Sequence, residues 1–160
     1  MENDNPTALF EHGLQMCGSY MKLEEGMEHL HRASRAGHET ATYLLGLMLA
    51  CRHGPTHDRV MGMKLIRKIK TSIGKNIVRS RRQLEKLVGQ RLSWNTTYTD
   101  EYMPIQIDTY NHTDKCRYIR KWAPNSFLGT YDPDVIDIET DLCEGCIWDL
   151  ESKFFFHLYC

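Results

Sequence analysis

Two cysteines near the C-terminus have the spacing of a metal-binding knuckle. Cys143 and Cys146 are separated by two residues, one of them a glycine, and two thiolates at this spacing can hold one zinc ion. This pair supplies half of a tetrahedral site. Two candidate pairs could complete it: His112 and Cys116 upstream, or His157 and Cys160 downstream.

The upstream pair is the preferred second half of the site. Residues 95–142 contain three prolines and little periodicity, so hydrophobic burial alone should order them poorly. A closed four-ligand site leaves no position for water and is therefore structural. The sequence predicts one structural zinc ion held by His112, Cys116, Cys143 and Cys146. Reduced cysteines without metal remain the alternative, whereas the strand-helix context of a redox Cys-x-x-Cys is missing.

No other pattern in the chain points to catalysis. The sequence has no glycine-rich phosphate loop, no nucleophile elbow and no His/Glu pair at metalloprotease spacing. His29 and His31 would lie on opposite faces of one helix, so they cannot act on the same group. We therefore expect no enzyme activity, no catalytic residue and no cofactor-binding residue.

Helical periodicity in the first half predicts the elements that must position any site. Asn5 can cap the first helix, with Pro6 at its first position. Gly37 follows the last apolar position of the second helix and should end it in the left-handed conformation. The four predicted helices span about 6–17, 22–36, 39–52 and 58–72.

These helices contain an internal repeat. Gly13 recurs as Gly46 at an offset of 33 residues, and Gly26 recurs as Gly62 at an offset of 36, each with apolar companions. Such a period is typical of tetratricopeptide-type helical pairs, although an ordinary four-helix bundle is the alternative. Gly26 and Gly46 lack side chains where two helices could approach closely. The sequence therefore predicts a mainly α fold of tetratricopeptide-type helical hairpins.

A basic segment follows the repeat. Residues 59–91 contain eleven Lys and Arg residues and one acidic residue, Glu85, which gives a net charge of +10. Their later part, at about 75–92, has the apolar stripe of a helix. We expect mainly a solvated or protein-facing surface. The alternative is a nucleic-acid-associated or chromatin-associated zinc protein that uses this segment, although no aromatic residue is interleaved for stacking.

The remainder of the chain has the opposite charge and few helix signals. Residues 99–160 contain twelve acidic and five basic residues. We divide the chain into a helical repeat domain with a basic last helix (5–92), a linker (93–111) and an irregular cysteine-containing tail (112–160). A terminal helix is expected within the tail. No secretory signal or membrane-spanning stretch is seen, which predicts an intracellular protein of the cytoplasm or nucleus.

The residues together resemble a group of plant F-box proteins with tetratricopeptide-like, or Sel-like, repeats and a cysteine tail. The resemblance covers most of the chain. The matching residues are Gly26, Met27, Leu30, Ala33, Ala36–His38, Ala41, Tyr43, Leu44, Gly46–Leu49, Cys51, Val78–Arg82, Cys143, Cys146, Trp148, Glu151 and Phe154.

This resemblance implies a protein–protein interaction module within a ubiquitin ligase adaptor. In that family the F-box docks the Skp adaptor of a cullin-based ligase, and the repeats recruit a substrate. An F-box of about 45 residues should precede the repeats, whereas only a handful of residues precede the first helix here. We therefore expect a protein partner of unknown identity, no binding of Skp by this chain alone, weak nucleic-acid binding and no membrane association.

Overall fold

A computed structural model describes residues 5–18, 22–52, 54–71, 77–91 and 144–159. Nearly all of these residues are helical, which confirms the prediction of a mainly α protein. The helices are α1 (Pro6–Cys17), α2 (Leu23–Arg35), α3 (Glu39–Cys51), α4 (Thr56–Thr71), α5 (Ile77–Arg91) and α6 (Glu144–Tyr159). The first five correspond closely to the expected ranges.

The ends of the first helices are determined by local side-chain chemistry. The Asn5 side chain accepts a hydrogen bond from the Thr7 amide at 3.0 Å, and Pro6 occupies the first turn of α1, where an amide donor is not needed. Gly37 has a φ of 89° after the end of α2. This left-handed conformation is accessible to glycine without a side-chain clash.

Close contacts between glycines join the helices into two hairpins. A Cβ atom on Gly62 of α4 would lie 2.5 Å from the Gly46 carbonyl oxygen and 2.6 Å from the Ala50 nitrogen of α3. Gly13 and Gly26 meet in the same way between α1 and α2, where a Cβ on either would lie 3.0 Å from the other's carbonyl oxygen. The equivalent placement of the two pairs confirms the repeat that the sequence predicts.

Helix α3 is the centre of the structure. Every residue from Thr40 to Cys51 is buried, because α2, α4, α5 and α6 all pack against this helix. A helix buried on all sides needs apolar or internally bonded residues around its whole circumference. Most of these positions in α3 are apolar, and the polar residues Thr40 and Tyr43 make the contacts described below.

The C-terminal helix packs back onto the repeat. Helix α6 contacts both α3 and α5, and Trp148, Phe154, Phe155 and Leu158 are buried in the same core as the hairpins. The expected linker, residues 93–111, lies outside the described residues, as does most of the expected tail. None of the helices in the described ranges is long and apolar enough to cross a membrane.

Candidate partner-binding site

Three polar side chains meet at the point where α3, α5 and α6 converge. Arg81 Nε donates a hydrogen bond to the Tyr43 hydroxyl at 3.0 Å. A second nitrogen of Arg81 donates to one carboxylate oxygen of Glu151, and the Tyr43 hydroxyl donates to the other. All three residues have a relative exposure of 0%. We call Tyr43, Arg81 and Glu151 the buried polar triad.

Aromatic side chains of α6 surround this triad. The Arg81 guanidinium carbon lies 5.9 Å from the centre of the Phe154 ring, and the Tyr43 and Phe154 ring centres are 6.0 Å apart. Near the start of α6, Trp148 is buried and the guanidinium carbon of Arg67 lies 5.2 Å from its ring centre. A cation near an aromatic ring is attracted by the ring quadrupole. Aromatic packing around the ion pair of Arg81 and Glu151 thus helps to hold the tail helix.

The apolar surroundings change the electrostatics of the triad. Burial raises the pKa of Tyr43 well above its usual value. The nearby Arg81 cation opposes this increase, whereas Glu151 adds to it. The phenol therefore stays protonated and remains a donor to Glu151. Isolated charges in such a place would carry a large desolvation cost. The guanidinium and the carboxylate are accommodated because each has the other as a hydrogen-bonded counter-ion.

Arg81 is an exception to the expectation that the basic segment is mainly surface. Arg79 and Arg82 are exposed, but Arg81 between them is fully buried. The physical reason is that Arg81 lies on the apolar stripe of α5. This stripe contains the buried residues Ile77, Ser80, Arg81, Leu84 and Val88.

The rest of the basic segment does form a charged surface. The charged side chains exposed on the described parts of α4 and α5 are all cationic, whereas Asp58 and Glu85 are half-buried. We call this set the cationic surface. It comprises Lys64, Arg67, Lys68, Arg79, Arg82 and Lys86. On the first hairpin, the exposed charged residues are mostly acidic, and they include Glu24, Glu25 and Glu28.

Further polar contacts fix the helices relative to one another. The Thr40 hydroxyl of α3 donates to the Gln83 side-chain oxygen of α5 at 2.7 Å. Arg52, at the end of α3, forms a 2.6 Å ion pair with Glu24 of α2. The first contact joins α3 to α5 and the second joins the end of α3 to α2, so they help to set how α5 and α2 pack beside α3.

His38 has a structural role at the start of α3. Its Nδ1 atom accepts a hydrogen bond from the Ala41 amide at 3.1 Å, and its ring stacks on Phe10 of α1 at a centroid distance of 4.5 Å. Partial burial lowers the pKa of His38, although Glu39 acts in the opposite direction. No role for His38 was predicted from the sequence. The available sequence signal for a cap was the position of His38 directly after Gly37, because the capping residue of a helix can directly follow the end of the preceding helix.

The structure describes only one of the four predicted zinc ligands. Cys146 lies in the first turn of α6, whereas His112, Cys116 and Cys143 lie outside the described residues. In the alternative pair, His157 belongs to α6 and Cys160 is likewise outside. Among the described residues, no group of three metal-ligating side chains converges on one point. The zinc site therefore stays a prediction from spacing.

The two cysteines of the repeat do not have the exposure and the low pKa of a metal-binding cysteine. Cys17 and Cys51 are buried free thiols. Burial, with a smaller contribution from Glu24, raises the pKa of Cys17 to about 12, and burial also raises the pKa of Cys51. Since the thiolate is the form that binds metals and attacks disulfides, both thiols are inert packing groups at neutral pH.

Comparison with known families agrees with this helical architecture. A family model described as plant tetratricopeptide repeats matches residues 1–89, which is more than half of the chain and includes both glycine-paired hairpins and most of α5. No curated protein and no solved structure matches the chain. Helix α6 and its part of the triad lie outside the matched range. The repeats, the doubled glycine pairs and the match together show that this chain belongs to the plant tetratricopeptide repeat family.

Proposed function

We propose that this protein is a protein–protein interaction module whose cationic surface binds an acidic segment of a partner protein. The observation that carries the proposal is the charge of α4 and α5, where every exposed charged side chain in the described residues is a Lys or Arg. Stacked helical hairpins present extended surfaces that bind other proteins. Complementary charge accelerates association and selects acidic partners over basic ones.

We further propose that the module is the substrate-recruiting part of an F-box-type ubiquitin ligase adaptor. The support is the resemblance to plant F-box proteins with Sel-like repeats, in which the basic run from Val78 to Arg82 and the pair Trp148 and Glu151 both have counterparts. In this arrangement an F-box would dock the Skp adaptor, and the cationic surface would contact the substrate.

Nucleic acid is the competing ligand for the same surface. Helices α4 and α5 contain no Phe, Tyr or Trp, and the nearby Trp148 is 2% exposed, so its ring is not available to stack on a base. Only phosphate contacts remain. We expect duplex DNA to bind no tighter than the micromolar range of non-specific charge attraction at physiological salt.

Affinity purification from plant cell extract tests the protein-binding proposal. The tagged protein is compared with the variant Arg79→Ala/Arg82→Ala/Lys86→Ala, and the matched control is Glu25→Ala/Glu28→Ala on the opposite-charge hairpin. We expect partners that are retained by the wild type and the control and lost by the triple variant. Skp and cullin subunits retained by all three proteins would support the ligase role, because the cationic surface is not the proposed docking site of Skp.

A DNA-binding titration distinguishes nucleic-acid binding from protein binding by the cationic surface. Fluorescence anisotropy with labelled duplex DNA is measured at physiological salt for the wild type and the same triple variant. A sequence-selective site of nanomolar affinity that the triple variant loses would replace the protein-binding proposal with the nucleic-acid one.

A further inference from the structure

Helix α6 has an unusual residue at the centre of its buried face. At 100° per residue, Glu151 lies midway around the buried arc, with Trp148 and Phe155 on one side and Phe154 and Leu158 on the other. A helix that only covers an apolar face needs no charge at this position. The carboxylate is therefore a specific feature of the contact.

The repeat presents the complementary groups. Arg81 of α5 and Tyr43 of α3 both direct donors at Glu151, and each carboxylate oxygen receives one hydrogen bond. Arg81 and Tyr43 are joined to each other at 3.0 Å, and Thr40 and Gln83 connect the same two helices at 2.7 Å. The donors thus belong to a pair of helices that is braced independently of α6.

A buried ion pair contributes more to the specificity of helix packing than to its stability. The desolvation of two charges offsets much of their attraction, whereas a mismatched occupant would leave a charge buried without a counter-ion. The face formed by α3 and α5 should therefore discriminate sharply between helices with and without a carboxylate at this position. Discrimination of this kind serves recognition, because stability alone is obtained as well with apolar side chains.

Helix α6 is remote in the sequence from the helices that it contacts. The ends of α5 and α6 facing each other in sequence are Arg91 and Glu144, so more than fifty residues separate them. Within the described residues, contacts with α3 and α5 keep the helix on the repeat. A ligand that belongs to the same chain has a high effective concentration and competes with any ligand that arrives from another molecule.

We propose that the face formed by Tyr43 and Arg81 on α3 and α5 is a binding site for an amphipathic helix with a glutamate or aspartate flanked by aromatic residues. Helix α6 is its occupant within the chain, and it yields the site to a partner helix of the same chemistry. The motif is an aromatic residue three positions before the acid and two aromatic residues three and four positions after it, as in Trp148, Glu151, Phe154 and Phe155. This site is separate from the cationic surface, so either can fail without the other.

Binding of a helix supplied in trans tests the proposal on the full chain. The probe is a fluorescein-labelled peptide of residues 144–159 with Cys146 replaced by Ser. The receptor is the wild type or the variant Glu151→Lys, which places a cation beside Arg81 and should displace α6. The control is Lys153→Ala, a change on the half-buried side of α6.

We expect Glu151→Lys to bind the probe at least tenfold more tightly than the wild type and Lys153→Ala. A peptide with Gln in place of Glu151 should bind that variant at least tenfold more weakly than the probe. A concentration-dependent dimer formed by exchange of α6 would also support the site. A Glu151→Lys chain that keeps its helical circular dichroism and gains no affinity for the probe would overturn the proposal.

Hydrogen exchange of the wild type gives a second test that does not depend on a variant that folds. If α6 leaves the site reversibly, its amides should exchange at least tenfold faster than the buried amides of α3. Equal protection of α6 and α3 would show that α6 is a permanent part of the core, and the proposal would then be wrong.

Discussion

The guanidinium of Arg81 and the carboxylate of Glu151 form an ion pair with no solvent exposure, between helices that are far apart in the sequence. The pair is completed by the Tyr43 hydroxyl, which binds both partners. Because each charge depends on the other, the energetic effect of a substitution here should depend on whether one partner or the whole triad is replaced.

The stability of variants at the triad should depend on how many of its polar groups are replaced. Arg81→Met removes the only buried cation of the triad and leaves Glu151 buried, which should lower the free energy of unfolding by about 3–5 kcal/mol. The variant Tyr43→Phe/Arg81→Met/Glu151→Leu removes all three polar groups and should be close to the wild type in stability. Equilibrium urea unfolding measures both. A triple variant that is less stable than Arg81→Met would contradict the counter-ion argument.

The glycine pair of the second hairpin gives the next prediction. Gly62→Ala places a Cβ within 3 Å of backbone atoms of Gly46 and Ala50, so the helices must separate. We expect a loss of about 1–3 kcal/mol from overpacking, despite the higher helix propensity of alanine. Gly46→Leu should be at least as damaging.

Gly54→Ala is the matched control, because the nearest atom to its added Cβ is the Asp58 carboxylate at 3.9 Å. Thermal unfolding of Gly62→Ala, Gly46→Leu and Gly54→Ala measures these differences in stability. Equal melting temperatures for Gly62→Ala and Gly54→Ala would show that the hairpin can relax around a side chain.

Leu30 tests the packing of the first hairpin. Its side chain on α2 has 0% exposure, and its Cγ lies 3.1 Å from the position of a Cβ on Gly13 of α1. Leu30→Ala should cost about 2–5 kcal/mol, the range for removal of a buried leucine side chain. Val60→Ala is the surface comparison, because Val60 is 43% exposed. A shift in urea midpoint no larger than that of Val60→Ala would refute the packing.

His38 should make stability depend on pH. Its Nδ1 must be unprotonated to accept the Ala41 hydrogen bond, and burial lowers its pKa from the usual 6.5. The folded state therefore binds this proton less readily than the unfolded state. The contribution of the cap is complete above about pH 6.5 and is lost as the pH falls through the lower pKa of the folded state.

His38→Asn is the control for this titration, because asparagine caps a helix without gaining a charge. We expect the stability difference between wild type and His38→Asn to shift against the wild type below pH 6.5. His38→Ala should lose about 0.5–2 kcal/mol at neutral pH. A difference between wild type and His38→Asn that stays constant from pH 7.5 to 5 would exclude the proposed titration.

The zinc prediction rests on the spacing of residues outside the repeat. Protein purified without chelator should contain about one zinc ion per chain by elemental analysis, held by His112, Cys116, Cys143 and Cys146. The content should fall as the pH is lowered, because protons compete for thiolates and imidazole. Cys116→Ser should lose the metal and Cys160→Ser should keep it; the reverse pattern would assign the downstream pair instead.

The sequence by itself determined the helices and the way they pair. The cap at Asn5, the proline at Pro6 and the end at Gly37 are local signals. The recurrence of glycines at Gly13, Gly26, Gly46 and Gly62 is a periodic signal, and each glycine pair acts through contacts within one hairpin. The apolar stripe of α6 was visible in the same way, which predicted a terminal helix.

Tertiary structure alone decided where that terminal helix packs and which charges are buried. Arg81 belongs to a run of basic residues. Its position on the apolar stripe of α5 is a weak signal of burial, because an arginine is buried there only if the fold supplies a counter-ion. Glu151 supplies it from 70 residues away. The pairing of two distant charges depends on how α3, α5 and α6 pack, because a buried charge is tolerated only where the whole fold provides its partner.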